Sequence, residues 1–171
     1  MKRRLLLKSL SVSVGTLLAL PAWANNWNIH SFGIQTTLLN LEQSNLLAEI
    51  VSTIIPEGKI QGAKSLGVPV FIEKMIKDCY EKNAQDDFKK GLENFEILSK
   101  STYNQAFENL SPPQKLEFLK NLQASTDIKQ KEFYALVKNL TVQGYTTSEY
   151  VMVNYLKYEM APGHYYGCVN V

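Results

Sequence analysis

The stretch Asn40-Leu41-Glu42-Gln43-Ser44-Asn45-Leu46-Leu47-Ala48-Glu49-Ile50-Val51-Ser52-Thr53-Ile54-Ile55-Pro56 decides the fold class. Its apolar residues fall in pairs separated by three or four positions, the spacing that gathers side chains on one face of an α-helix. Asn40, followed three residues later by Gln43, has the pattern of a capping box, and Pro56 marks the stop. The same paired spacing recurs along most of the chain. After a Gly- and Lys-containing loop from 57 to 67, Pro69 suits a first helical turn, and Phe71, Ile72, Met75, Ile76, Cys79 and Tyr80 form a second stripe. Phe88, Leu92, Phe95 and Leu98 face inward on a third segment, about 85–103, which Gly91 should weaken. Ser111-Pro112-Pro113-Gln114 reads as a cap, first-turn prolines and a capping-box glutamine for a short helix holding Leu116, Leu119 and Leu122. Phe133, Leu136, Val137 and Leu140 mark a fifth helix. Ser148 caps a sixth, which carries Val151, Met152, Tyr155 and Leu156. No run alternates with period two for long enough to be a strand, and no internal repeat is visible. The expected class is all-α, a single irregular bundle of about six helices.

Working back towards the amino terminus, residues 25–35 form a polar lead to the helical domain, which spans residues 36–171. Residues 1–24 differ in kind. A basic head is followed by an apolar run from Ser9 to Leu20 and then by Pro21-Ala22-Trp23-Ala24, the layout of a cleavable export signal with Ala22 and Ala24 before the cut. The apolar run is too short to span a bilayer comfortably. Arg3-Arg4-Leu5-Leu6-Leu7-Lys8 matches the twin-arginine pattern in Arg3, Arg4, the apolar pair Leu6 and Leu7, and Lys8. The competing reading is an ordinary signal for unfolded export that happens to hold two arginines. Lys8, together with an apolar run diluted by Ser9, Ser11, Ser13, Gly15 and Thr16, favours the twin-arginine route, which moves folded cargo. The expected location is the periplasm, in a complex at the inner membrane.

At 171 residues, 45% of them hydrophobic, the chain can build one core. The formal charge of +2 includes Lys2, Arg3, Arg4 and Lys8 of the leader; without these four, 14 basic residues stand against 16 acidic ones, a net of −2. This balance gives no footprint for nucleic acid or an anionic membrane surface. The chemistry available to the chain is also limited. Its histidines are His30 and His164 and its cysteines Cys79 and Cys168, which cannot supply a Cys-x-x-Cys-His haem site or four thiolates for an iron–sulfur cluster. Their spacing matches no zinc pattern, and no phosphate-cradling glycine motif is present. Glu42, Glu49, Glu73, Asp78, Asp86, Asp87 and Glu93 fall opposite the apolar stripes and read as a solvated face. The expectation is no catalytic residue, no metal and no cofactor in this chain.

Cys79 lies in line with Phe71, Ile72, Met75 and Ile76, so a buried thiol is expected there. Cys168 sits in the tail Ala161-Pro162-Gly163-His164-Tyr165-Tyr166-Gly167-Cys168. Two pairings are open to it in an oxidising compartment: an internal bridge to Cys79, and a bridge to another protein. The expected burial of Cys79 favours the second. Tyr145, Tyr150, Tyr155, Tyr158, Tyr165 and Tyr166 crowd the C-terminal end, and tyrosine suits both an interface and the completion of the domain's own core. Tyr145, Tyr165, Tyr166 and Cys168 are the candidate partner interface, with Cys168 the candidate intersubunit disulfide.

Several of these segments resemble one family. Ala48-Glu49-Ile50-Val51-Ser52-Thr53-Ile54-Ile55-Pro56, Gly62-Ala63 leading to Gly67-Val68-Pro69-Val70-Phe71-Ile72, Phe107-Glu108-Asn109-Leu110-Ser111-Pro112-Pro113-Gln114, the run from Phe133 to Glu149 and Pro162-Gly163-His164-Tyr165-Tyr166-Gly167-Cys168 are similar to the gluconate 2-dehydrogenase subunit 3 family. The resemblance covers nearly all of the chain behind the leader. It implies a non-catalytic small subunit beside a flavoprotein large subunit of the glucose–methanol–choline type, which carries FAD, with a multihaem cytochrome c as a further partner. It also implies that the small subunit supplies the export signal for the large one. Glu57-Gly58-Lys59-Ile60-Gln61 departs from the acidic, Thr-rich turn common in the family, so contacts made there should differ. The alternative to an escort subunit is a free-standing periplasmic helical binding or scaffolding module; a hydrolase with an unrecognised acid–base site is a third reading.

Overall fold

The computed structural model describes residues 38–159 and Gly163, and the regular secondary structure among these described residues is entirely helical. These residues belong to the second of two units in the chain, Thr37–Val171. The first helix, α1 (Leu41–Ile54), starts where local chemistry says it should. Asn40 Oδ1 accepts the Gln43 N–H at 2.7 Å, and Gln43 Oε1 accepts the Asn40 N–H at 3.3 Å, so two otherwise orphaned donors are satisfied. Leu46, Leu47, Ile50 and Val51 are buried, and the helix ends at Ile54, with Ile55 as its cap just before Pro56.

The loop that follows is organised by Glu57, whose carboxylate accepts the Gly62 N–H at 2.8 Å and the Ser65 N–H at 3.4 Å. Gly67 then enters α2 (Val68–Cys79) with φ 73°, left-handed backbone that glycine adopts without strain. Val68, Ile72 and Ile76 are its buried line. The third helix, α3 (Lys82–Tyr103), buries Phe88, Leu92, Phe95 and Ser99 and stops at Asn104 in the left-handed region. A 3-10 turn over Phe107–Asn109 leads into α4 (Pro112–Gln123), where Gln114 Oε1 accepts from Ser111 N at 3.0 Å and Oγ at 2.7 Å. Asp127 caps α5 (Ile128–Thr146) by accepting the Lys129 N–H at 2.9 Å. Ser148 caps the short α6 (Glu149–Asn154).

Helix α1 touches α2, α3, α4 and α5, and α5 in turn touches α2, α3, α4 and α6. The core between them is largely aromatic. Phe95 is its centre, with ring centroids 4.9 Å from Phe107, 5.1 Å from Phe118 and 6.3 Å from Phe133, all in edge-on arrangements that favour π-systems. Two helical glycines permit the closest approaches. A Cβ on Gly91 would lie 2.3 Å from Phe133 Cδ2, and one on Gly144 would lie 2.6 Å from Phe71 Cδ1. Gly91, expected to weaken α3, is thus the residue that lets Phe133 of α5 settle against it.

Candidate functional site

The described part of the C-terminal region forms an exposed aromatic surface. Its base is Tyr145 on α5, half-buried against the core, whose hydroxyl donates to the Gln61 carbonyl at 3.0 Å and so ties the 56–67 loop to the end of α5. Tyr145 therefore serves the domain's own packing, whatever else it touches. Beyond it, α6 has room for one buried anchor, Val151. The sequence pattern extended this helix through Tyr155 and Leu156; instead it ends at Asn154. The Val151 carbonyl accepts from both Tyr155 N at 3.0 Å and Leu156 N at 3.1 Å, Lys157 turns left-handed at φ 50°, and Tyr158 N closes back onto the Met152 carbonyl at 2.9 Å. This tight reversal holds Tyr155, Leu156 and Tyr158 outward at 53%, 61% and 54% exposure, with Val153 beside them. The Tyr150 and Tyr155 rings stack edge-on at 5.9 Å, and contact with the Tyr150 hydroxyl pushes the Tyr155 phenol above its usual range. A run of large apolar side chains held in water by an ordered turn has the character of a docking surface rather than of scattered surface residues.

A concave feature lies elsewhere, between α3 and α5. It is a groove of about 630 Å³ with a floor of Phe88, Phe95, Leu98, Phe133 and Leu136 and a rim that includes Asp87, Lys90, Lys129 and Glu132. Helices distant in sequence form it, so periodicity could not have revealed it; an isolated exposed Ile97 on α3 was the one local signal.

Two of the acidic side chains tie elements of the fold together. Glu49 was expected on a solvated face, but its carboxylate binds Lys64 Nζ at 2.8 Å and Lys115 Nζ at 2.9 Å, joining the loop and α4 to α1. Lys115 also lies 5.5 Å above the Phe107 ring. Lys64 foremost, then Lys115, holds the Glu49 carboxyl below its ordinary value against a partial desolvation that would raise it. Glu73 likewise departs from a purely solvated role, accepting the Leu39 N–H at 3.1 Å. Among the described residues no three or more His, Cys, Asp or Glu side chains converge as metal ligands would, and no helix is long and apolar enough to cross a membrane.

Cys79 corrects the sequence reading. Its angular position does lie on the buried face of α2, but it is the last residue of that helix, and the elements that cover Ile72 and Ile76 do not extend over it; the thiol is exposed. Inaccessibility of Cys79 therefore no longer argues for one pairing of Cys168 over the other. The leader positions Arg3, Arg4, Leu6, Leu7, Lys8, Ala22 and Ala24, the polar lead, and the tail residues Tyr165, Tyr166 and Cys168 lie outside the described residues.

Comparison with known families gives one match. The family model described as Gluconate 2-dehydrogenase subunit 3 covers residues 41–163, from the first residue of α1 to beyond the exposed aromatic turn. No curated protein and no solved structure matches the chain.

Proposed function

We propose that this chain, which belongs to the gluconate 2-dehydrogenase subunit 3 family, is the non-catalytic small subunit of a periplasmic FAD-dependent sugar or sugar-acid dehydrogenase and exports its flavoprotein partner. The observation that carries this reading is the family match over the helical domain, joined in one chain to a leader with Arg3, Arg4 and Lys8. A route that moves folded cargo lets one leader serve two polypeptides, because the partners associate in the cytoplasm before either crosses. The division of labour follows from the residues available. Flavin chemistry belongs to the large subunit, of the glucose–methanol–choline type, with a multihaem cytochrome c as the onward electron acceptor. This chain contributes binding surface.

Val153, Tyr155, Leu156 and Tyr158 suit that task, as do Tyr165, Tyr166 and Cys168 in the tail that follows. The four tyrosine rings bury area while keeping a hydroxyl for hydrogen bonding. A disulfide from Cys168 would hold the subunits together even where the non-covalent contacts are modest, since separation then requires reduction. Purification of the tagged full chain from its native host tests the assignment. A yellow preparation with a large flavin-containing polypeptide is the expected result; a colourless chain recovered alone would overturn it.

A further inference from the structure

We infer that the groove between α3 and α5 is a second docking site, distinct from the C-terminal aromatic turn, and that its occupant is an amphipathic helix of the flavoprotein subunit; this rests on the function proposed above. The shape comes first. The groove follows α3 from Ala84 to Leu98, about 20 Å at 1.5 Å per residue, which accommodates roughly three to four helical turns. Its floor is apolar and includes the half-buried Phe133 ring, and Ile97 stands on its lip at 63% exposure. That combination fits the apolar face of a helix laid along it.

The rim narrows the choice of occupant. Asp87 and Lys90 stand three residues apart on α3, and Lys129 and Glu132 three apart on α5. The ion pairs Lys64–Glu49, Lys115–Glu49 and Lys100–Glu96 involve none of Asp87, Lys90, Lys129 and Glu132, while Asp127, which also lines the groove, accepts the Lys129 N–H. On α3 the rim offers one cation and one anion, and at the start of α5 Lys129 stands between two carboxylates, Asp127 and Glu132. An anionic lipid or a fatty acid would meet a carboxylate more often than an ammonium, whereas a helix carrying charges of both signs beside its apolar face can pair with cations and anions alike.

The test uses the full chain co-expressed with its flavoprotein partner. A photo-crosslinking residue in place of Ile97 should link to the large subunit at positions spaced three or four apart. Ile97→Asp should lower recovery of the large subunit about tenfold or more while leaving the helical circular dichroism and melting temperature of the small subunit unchanged. Reversal of both rim cations, Lys90→Glu with Lys129→Glu, should weaken association without unfolding, since both are exposed. If wild-type chain recovers the flavoprotein and Ile97→Asp does so equally well, the groove assignment is wrong and the subunit assignment stands. Crosslinks to a second copy of this chain, or to lipid, would also overturn it. If wild-type chain recovers no flavoprotein, both fail.

Discussion

Gly91 of α3 lies under the Phe133 ring of α5 so closely that a Cβ on Gly91 would come within 2.3 Å of Cδ2 and 2.8 Å of Cγ. These atoms sit near the root of the Phe133 side chain, which cannot swing clear without leaving the Phe88 and Phe95 rings at 5.7 and 6.3 Å. Gly91→Ala sets a helix-propensity gain of about 1 kcal/mol against an overpacking cost of roughly 1–3 kcal/mol. The clash should win. Chemical denaturation should show a net loss of about 1 kcal/mol, and the same substitution in a Phe133→Ala background should be neutral or stabilising. Equal effects in both backgrounds would mean that the ring is not the obstacle.

Glu49 makes stability depend on pH in a defined direction. Its carboxyl is held below the ordinary 4.5 in the folded protein, chiefly by Lys64. A depressed folded value means stability that is fully present above the unfolded value and lost as pH falls through the folded one. Wild type should exceed Glu49→Gln by about 1 kcal/mol at neutral pH, a modest figure because the site is partly open to solvent. The gap should close below pH 4.5. A difference that persists unchanged into acid would show that the two lysines contribute nothing through charge.

The cysteines separate cleanly by experiment. Cys79 is exposed at the end of α2, so in Cys168→Ser protein a maleimide should label it under native conditions, without denaturant. Non-reducing gels of the native complex separate the two pairings of Cys168: an intersubunit bridge gives one heavy band that a thiol splits and that Cys168→Ser, but not Cys79→Ser, abolishes. A Cys79–Cys168 peptide found by mass spectrometry would replace the intersubunit bridge with an internal one.

What the sequence disclosed and what it concealed divide by range. Caps are local, so the partnership of Asn40 with Gln43 and the start of α4 at Ser111 could be read from residues three apart. The stripes through Leu46 to Val51 and Phe88 to Phe95 predicted which faces are buried, because helical periodicity fixes direction. Periodicity does not fix how far the covering helices reach, which is why Cys79 was misread. Nor does it name long-range partners: the packing of Phe133 over Gly91 and the two lysines that the loop and α4 bring to Glu49 join residues far apart in the chain. The groove belongs to the same class of feature, since its walls come from α3 and α5.

If this small helical subunit carries its flavoprotein partner across the membrane as proposed, the leader governs where both chains end up. Arg3→Lys and Arg4→Lys together conserve charge while removing the address that twin-arginine export reads. Cells expressing this variant with the flavoprotein subunit should be fractionated and both chains quantified in cytoplasm and periplasm. Both should remain in the cytoplasm, still associated and still folded. Normal periplasmic levels of the flavoprotein in that variant would contradict the proposed export role.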